Sequence, residues 1–224
     1  MFIGHYALGL GAKRFAPAVS LGTLFIAVQF ADLLWPTLLL LGLEQVEIAP
    51  GITAVTPLDF ISYPYSHSLV MAVVWAGVFA GVYLVVHKNR RAAAGMLAAL
   101  VASHWVLDVA THRPDMPITI GGDLRVGLGL WDRLPATLAV EGALFLAGVY
   151  LYARSTRAKD RVGTFAFWGL IGFLVVVYLA NLFGPPPPSV SAIAWSAQSL
   201  WLIVIWGYWI DRHREGVQQQ SRPA

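Results

Sequence analysis

The 224-residue sequence contains no cysteine. That excludes disulfides, thiolate nucleophiles and thiolate zinc sites, and it leaves the redox compartment undetermined. Charge is scarce too. Charged residues make up 12%, and residues 162–210 carry none. The net charge of +3 comes from short basic clusters, not from a basic face of the kind that binds nucleic acid, so no nucleic-acid partner is expected. No internal repeat is visible. What fills the chain is apolar: 58% of residues are hydrophobic and the mean hydropathy is +0.66. A soluble core does not need such runs, whereas transmembrane helices of about 20 apolar residues do.

The expected fold is therefore all-α: a polytopic membrane helix bundle of about six transmembrane helices plus a short N-terminal half-helix. A short segment covers 3–12, and the first full span covers 16–35, ended by Trp35-Pro36 with an apolar continuation. Further spans fall at 66–86, 92–112, 135–153, 163–183 and 191–210, with polar loops at 44–65 and 113–134. Residues 1–210 read as one membrane domain and 211–224 as a disordered polar cytoplasmic tail. Lys13-Arg14 precedes an apolar run, as in a signal peptide, but the run passes Asp32 to Leu43 without a small-x-small cleavage site. Gly77-x-x-x-Gly81 reads as a close helix-packing face.

Lys88, Arg90, Arg91, Arg154, Arg157, Lys159, Arg161, Arg212 and Arg214 fall at one end of this arrangement. The positive-inside rule makes that end cytoplasmic. The loops 44–65 and 113–134 then face outward.

At that outer end sit the chain's most unusual polar residues. His104, Asp108 and His112 are spaced by four within the apolar segment AAAGMLAALVASHWVLDVATH. On a helix they form one stripe. Ionisable groups at membrane depth cost several kcal/mol, so such a stripe marks a site. Asp32 and His67 lie near the outer ends of neighbouring spans, and His5 joins them if residues 3–12 descend from the outer half. Imidazoles with carboxylates suit a divalent metal, zinc before manganese or iron, as one ion or two. The candidate ligands are His5, Asp32, His67, His104, Asp108 and His112. Each has a plainer reading: a hydrogen-bonded His104–Asp108 pair, a polar helix contact at Asp32, a cap at His67, and interfacial His5 and His112. Glu141 is either a structural partner for a loop arginine or a functional acid.

Gly4-His5, Asp32-Leu33-Leu34-Trp35-Pro36, Ser66-His67-Ser68 and Ser103-His104 followed by Asp108 carry a resemblance. Over residues 4–112 the chain resembles the bacterial membrane-bound metal-dependent hydrolases of the YdjM-like family. It departs from that family where Leu34 and Trp35 replace a second Asp and a His, and where Ser62-Tyr63-Pro64-Tyr65 replaces a His-Arg-Gly stretch. The ligand order is also remotely similar to that of zinc-dependent phospholipases C. The resemblance implies a hydrolase of the bacterial inner membrane whose ligands are His5, Asp32, His67, His104 and Asp108.

The expected activity is metal-dependent hydrolysis of a phosphoester in a lipid or lipid-linked substrate drawn from the membrane. Asp32 or Glu141 would accept the proton, and Arg113, Arg125 or Arg133 would bind the phosphate. A non-catalytic protein with a structural metal, and a transporter, are the competing classes. Substrate and oligomeric state are not readable from the sequence.

Overall fold

The computed structural model describes residues 1–217. Five helices are long and apolar enough to cross a membrane: Leu69–Val86 (α5), Arg91–Thr111 (α6), Leu134–Ser155 (α7), Arg161–Phe183 (α8) and the run Val190–Arg212. The last divides into Val190–Ala197 (α9) and Leu200–Arg212 (α10). A bent pair, Leu21–Val28 (α2) and Phe30–Leu40 (α3), meeting at 59°, is long and apolar enough only when its two helices are taken together. Several starts follow ordinary capping chemistry. Ser20, Ser68, Asp160 and Ser189 each accept a first-turn amide of the helix that follows.

The bend differs from the expected end of the first span at Trp35-Pro36. Pro36 sits inside α3, and the break comes seven residues earlier, at Gln29. Proline removes one hydrogen bond but need not end a helix packed on its neighbours. The break re-aims α3 so that Asp32 falls in its first turn.

The short helix Ile3–Ala12 (α1) is buried along nearly its whole length. At about 1.5 Å per residue it is half a membrane crossing. It fits against α7 because Gly148 presents no side chain to the Ala7 backbone. The Glu141 carboxylate, on the same helix, accepts from the amides of Phe2 (3.0 Å) and Gly4 (3.3 Å). Glu141 thus closes the N-terminus of α1, where unpaired N–H groups and the helix dipole favour an anion. By contrast Gly77 and Gly81 meet nothing within 4 Å. The close-packing expectation fails there because α5 is peripheral and turns these glycines away from the bundle. Close approach occurs instead between Gly22 of α2 and Gly207 of α10.

The basic end of the bundle is tied together. Lys13 Nζ donates to both Asp211 carboxylate oxygens (3.0 and 3.1 Å) and to the Val19 carbonyl (2.8 Å), and Asp211 also accepts from the Leu21 amide. Strand Thr156–Ala158 pairs antiparallel with Arg214–Gly216. The Arg214 guanidinium lies over the rings of Phe167 and Tyr152, at 4.9 and 5.5 Å. Residues 211–216 are therefore ordered by ion-pair, strand and cation–π contacts, contrary to the disordered tail expected from composition. Residues 218–224 lie outside the described residues. Asp211→Ala strands a buried ammonium and is expected to cost about 3–5 kcal/mol. A detergent melting curve should show it, with Lys13→Met affected less.

At the opposite end the expected loops contain short hairpins. Gln45–Ile48 (β1) pairs with Leu58–Ser62 (β2), and Met116–Pro117 pairs with Arg125–Val126. A single turn, Pro64–His67 (α4), then leads into α5.

Candidate metal centre

Five of the six proposed ligands meet at this hairpin end, from four elements. His5 lies on α1, Asp32 at the start of α3, His67 at the end of α4, and His104 and Asp108 one turn apart on α6. Two overlapping sets have ligand atoms close enough for an ion: His5–His104–Asp108 and Asp32–His67–His104.

Four side chains face one point. His67 Nε2 lies 3.4 Å from Asp32 Oδ1 and 3.8 Å from Asp108 Oδ2. His104 Nε2 lies 3.6 Å from Asp32 Oδ1 and 3.0 Å from Asp108 Oδ2. A tetrahedral ion with ligands at about 2.0–2.2 Å requires ligand atoms about 3.3–3.6 Å apart. These four spacings bracket that value, and the residues fall into two three-ligand sets that share His104, so the donors suit an N/O metal site.

Protonation agrees. His104 Nδ1 donates to the Val28 carbonyl (2.7 Å), which the break between α2 and α3 leaves without its helical partner. In a neutral ring its Nε2 is then the unprotonated nitrogen, buried and 3.0 Å from Asp108 Oδ2. A metal-ligating histidine needs this arrangement, with one nitrogen held by a carbonyl and the other presenting its lone pair.

His5 occupies a different position. Its Nε2 donates to Asp108 Oδ1 (3.0 Å), and its ring stacks on His104 with centroids 3.8 Å apart and planes 5° apart. The Met1 amino group also contacts Oδ1. These contacts hold one oxygen of Asp108 and leave Oδ2 directed at His67 and His104.

His112 does not join the set. It is the C-cap of α6 with extended backbone (ψ 149°), so the four-residue stripe stops at Asp108. Its Nδ1 donates to Asp115 Oδ1 (3.0 Å), and its ring packs on Trp131 and Phe60. Burial pushes the His112 imidazole below its ordinary pKa. Asp115 is held below the usual carboxylate range even though burial opposes this, because His112, Tyr63 and Arg113 all donate to it. Burial, with Asp115 alongside, pushes the Tyr63 phenol well up. Together these residues form a polar plug above the site.

The three arginines also lie above it. Arg113 bonds Asp59 through Nη2 and Asp115 through Nε (3.1 Å). Arg125 donates to the carbonyls of Asp115 (3.0 Å) and Ile61 (3.3 Å). Both line an open concavity of about 470 Å³ with Asp59, Phe60 and Ile61. Arg133 is exposed at the start of α7. Glu141 is committed to α1 and does not touch the four-ligand set.

Access to the ligands is uneven. The side chains of His5, His67, His104 and Asp108 are 1–5% exposed, whereas that of Asp32 is 27% exposed. A narrow crevice between α3, α5 and α6 also reaches His67 and His104, walled by Phe30, Trp75 and Trp105. Its volume of about 10 Å³ is at the threshold for one water.

Two further residues here were not foreseen. Glu44, 2% exposed, accepts from the Tyr65 and Ser66 amides and from the Ser66 hydroxyl, which in turn meets His67. Ser66 stood in the Ser66-His67-Ser68 stretch without a role, and Glu44 showed in the sequence only as an acid after an apolar run. Comparison with family models, with curated proteins and with solved structures returns no match to this chain.

Proposed function

We propose that this integral membrane protein is a metal-dependent hydrolase of a phosphoester in a lipid or lipid-linked substrate. The observation that carries the reading is the convergence of His67, His104, Asp32 and Asp108 at 3.0–3.8 Å with one member, Asp32, open to its surroundings. Catalytic zinc sites keep one of four positions for water, so in this reading His67, His104 and Asp108 would hold the ion and the more accessible Asp32 would stand beside the water. Zinc suits nitrogen and oxygen ligands with no thiolate. One ion is favoured over two, because both ligand sets draw on His104 and its single free nitrogen serves one ion.

A bound divalent ion supplies a water of pKa about 7 and polarises the phosphoryl oxygen. The protein's residues do the rest. Val28 and Asp108 orient His104, and His5 restrains Asp108. Asp32, the most accessible carboxylate of the group, takes the proton of the attacking water. The water oxygen forms the new bond to phosphorus, the ester bond breaks, and the leaving alkoxide takes back the proton that Asp32 holds. Glu141 has no part in this step. Arg113 and Arg125 spend only part of their five-donor guanidiniums on Asp59, Asp115 and backbone carbonyls, and the remainder serves a phosphate at the rim.

Depth supports a lipid substrate. His104 lies seven residues from the end of α6, about 10 Å along the axis. The crevice that reaches it is lined by Phe30, Trp75 and Trp105 of apolar helices. With the basic end cytoplasmic under the positive-inside rule, the site belongs to the outer half of a bacterial inner membrane. The resemblance to YdjM-like hydrolases supports the reaction class.

The near-complete burial of His67, His104 and Asp108 favours a second reading, a structural metal clamp. One assay separates the two. Purified protein in lipid nanodiscs, stripped and reloaded with zinc, is expected to hydrolyse a member of a panel of phosphatidic acid, phosphodiester lipids, polyprenyl phosphates and lipid esters. Chelator should abolish the turnover and zinc restore it. Zinc-loaded protein inert on every member would leave the clamp as the function.

A further inference from the structure

We propose that Glu44 and Ser66 set the tautomer of His67 and thereby aim its Nε2 lone pair into the metal centre, an inference that rests on the metal reading above. Ser66 Oγ lies 2.6 Å from Glu44 Oε2 and 2.7 Å from His67 Nδ1. A hydroxyl has one proton to give. Three donors converge on the Glu44 carboxylate: the amides of Tyr65 (2.9 Å) and Ser66 (2.8 Å) on Oε1, and the hydroxyl on Oε2. Glu44 is therefore the acceptor, and the Ser66 proton points to it. The Ser66 oxygen is left to accept, so His67 Nδ1 carries the proton and donates. In the neutral ring the other nitrogen, Nε2, which faces Asp32 and Asp108, then carries the lone pair.

The relay is shielded from water, with Glu44, Ser66 and His67 all 2–5% exposed. Such buried outer partners hold a ligand's tautomer and ring orientation. Glu44 follows the end of α3, which carries Asp32, and its carboxylate grips the turn that carries His67. One side chain thus links two elements that each contribute a ligand. Glu44 and Ser66 are positioning residues, acting through His67.

Glu44→Gln tests this without removing the grip. The carboxamide oxygen still accepts from the Tyr65 and Ser66 amides, but the amide nitrogen now donates to Ser66 Oγ. The hydroxyl must turn its proton to His67 Nδ1, and the imidazole proton moves to Nε2, where it competes with the ion. In metal-free protein labelled with ¹⁵N-histidine, wild-type His67 is expected as the Nδ1-protonated tautomer and the variant as the Nε2-protonated one. Zinc affinity, measured by chelator competition, should fall about 10–100-fold while the melting temperature holds.

Ser66→Ala, which removes the hydroxyl, should lose affinity to a similar extent with His67 in mixed tautomers, and it decides the matter if Glu44→Gln does not fold. A His67 that keeps its Nδ1 proton in Glu44→Gln, with zinc affinity within about twofold of wild type, overturns the proposal. Wild-type protein that binds no zinc would overturn the metal reading alone, since the tautomer is read without metal.

Discussion

Replacing His104 with alanine is expected to take tightly bound zinc from about one ion per purified chain to nearly none. His104 belongs to both ligand sets and offers the one buried nitrogen of the four-ligand group whose other side is fixed by a backbone carbonyl. Loss of an outer partner alone costs about 10–100-fold in metal affinity, and loss of a ligand should exceed that. The variant should still insert and fold. Its local costs are an unpaired Val28 carbonyl, about 1–3 kcal/mol, and the lost stacking of His5 on the imidazole, small against the packing of the whole bundle. His112→Ala is the informative companion, because it removes the third member of the sequence stripe but leaves the four-ligand set intact. Stoichiometry by metal analysis should separate the two variants cleanly. A His104→Ala protein that keeps its ion, or a His112→Ala protein that loses it, would sink the assignment of ligands.

The second large effect is structural. Gly148→Val should destabilise the bundle by about 3 kcal/mol or more, the upper end of what overpacking costs. A β-carbon at Gly148 would lie 2.7 Å from Ala7 Cα and 2.8 Å from Ala7 C, closer than real contacts allow. The obstacle is backbone in the middle of a buried helix, so no rotamer change relieves it. The α1 helix must back away from α7, which also pulls Phe2 and Gly4 from the Glu141 carboxylate and shifts His5 from Asp108. Zinc affinity should therefore drop along with the melting temperature in detergent. Gly142, one and a half turns earlier on the same helix, meets nothing within 4 Å. Gly142→Val is expected to change the melting temperature little. Equal behaviour of the two variants would show that α1 is not held this way.

Several features could be read from the chain because they are local. Apolar run length marked the spans, and the spacing of His104 and Asp108 placed them on one helix face. The half-helix at 3–12 followed from its length and from the need to bring His5 to the others. Other expectations failed where a neighbouring element intervened. The pattern His104–Asp108–His112 assumed a helix through residue 112, but His112 leaves it as the cap and turns to Asp115. Pro36 suggested a helix end, yet the turn lies at Gln29, where His104 takes up the carbonyl that the break releases. The tail looked disordered by composition, but its residues 211–216 are ordered through Asp211 and Arg214.

The sequence by itself determined that the chain lives in a membrane and that its few buried imidazoles and carboxylates crowd towards one end. Transfer free energy and helical period depend on residue type and short spacing alone. Only the tertiary structure decided which polar groups face one another. Glu141 reaches across 139 positions to the amide of Phe2 and becomes a helix cap. Glu44 reaches across 22 positions to Ser66, whose hydroxyl meets His67. In an apolar interior each buried donor and acceptor must find a partner. That choice is made by how the helices pack, which no local pattern records.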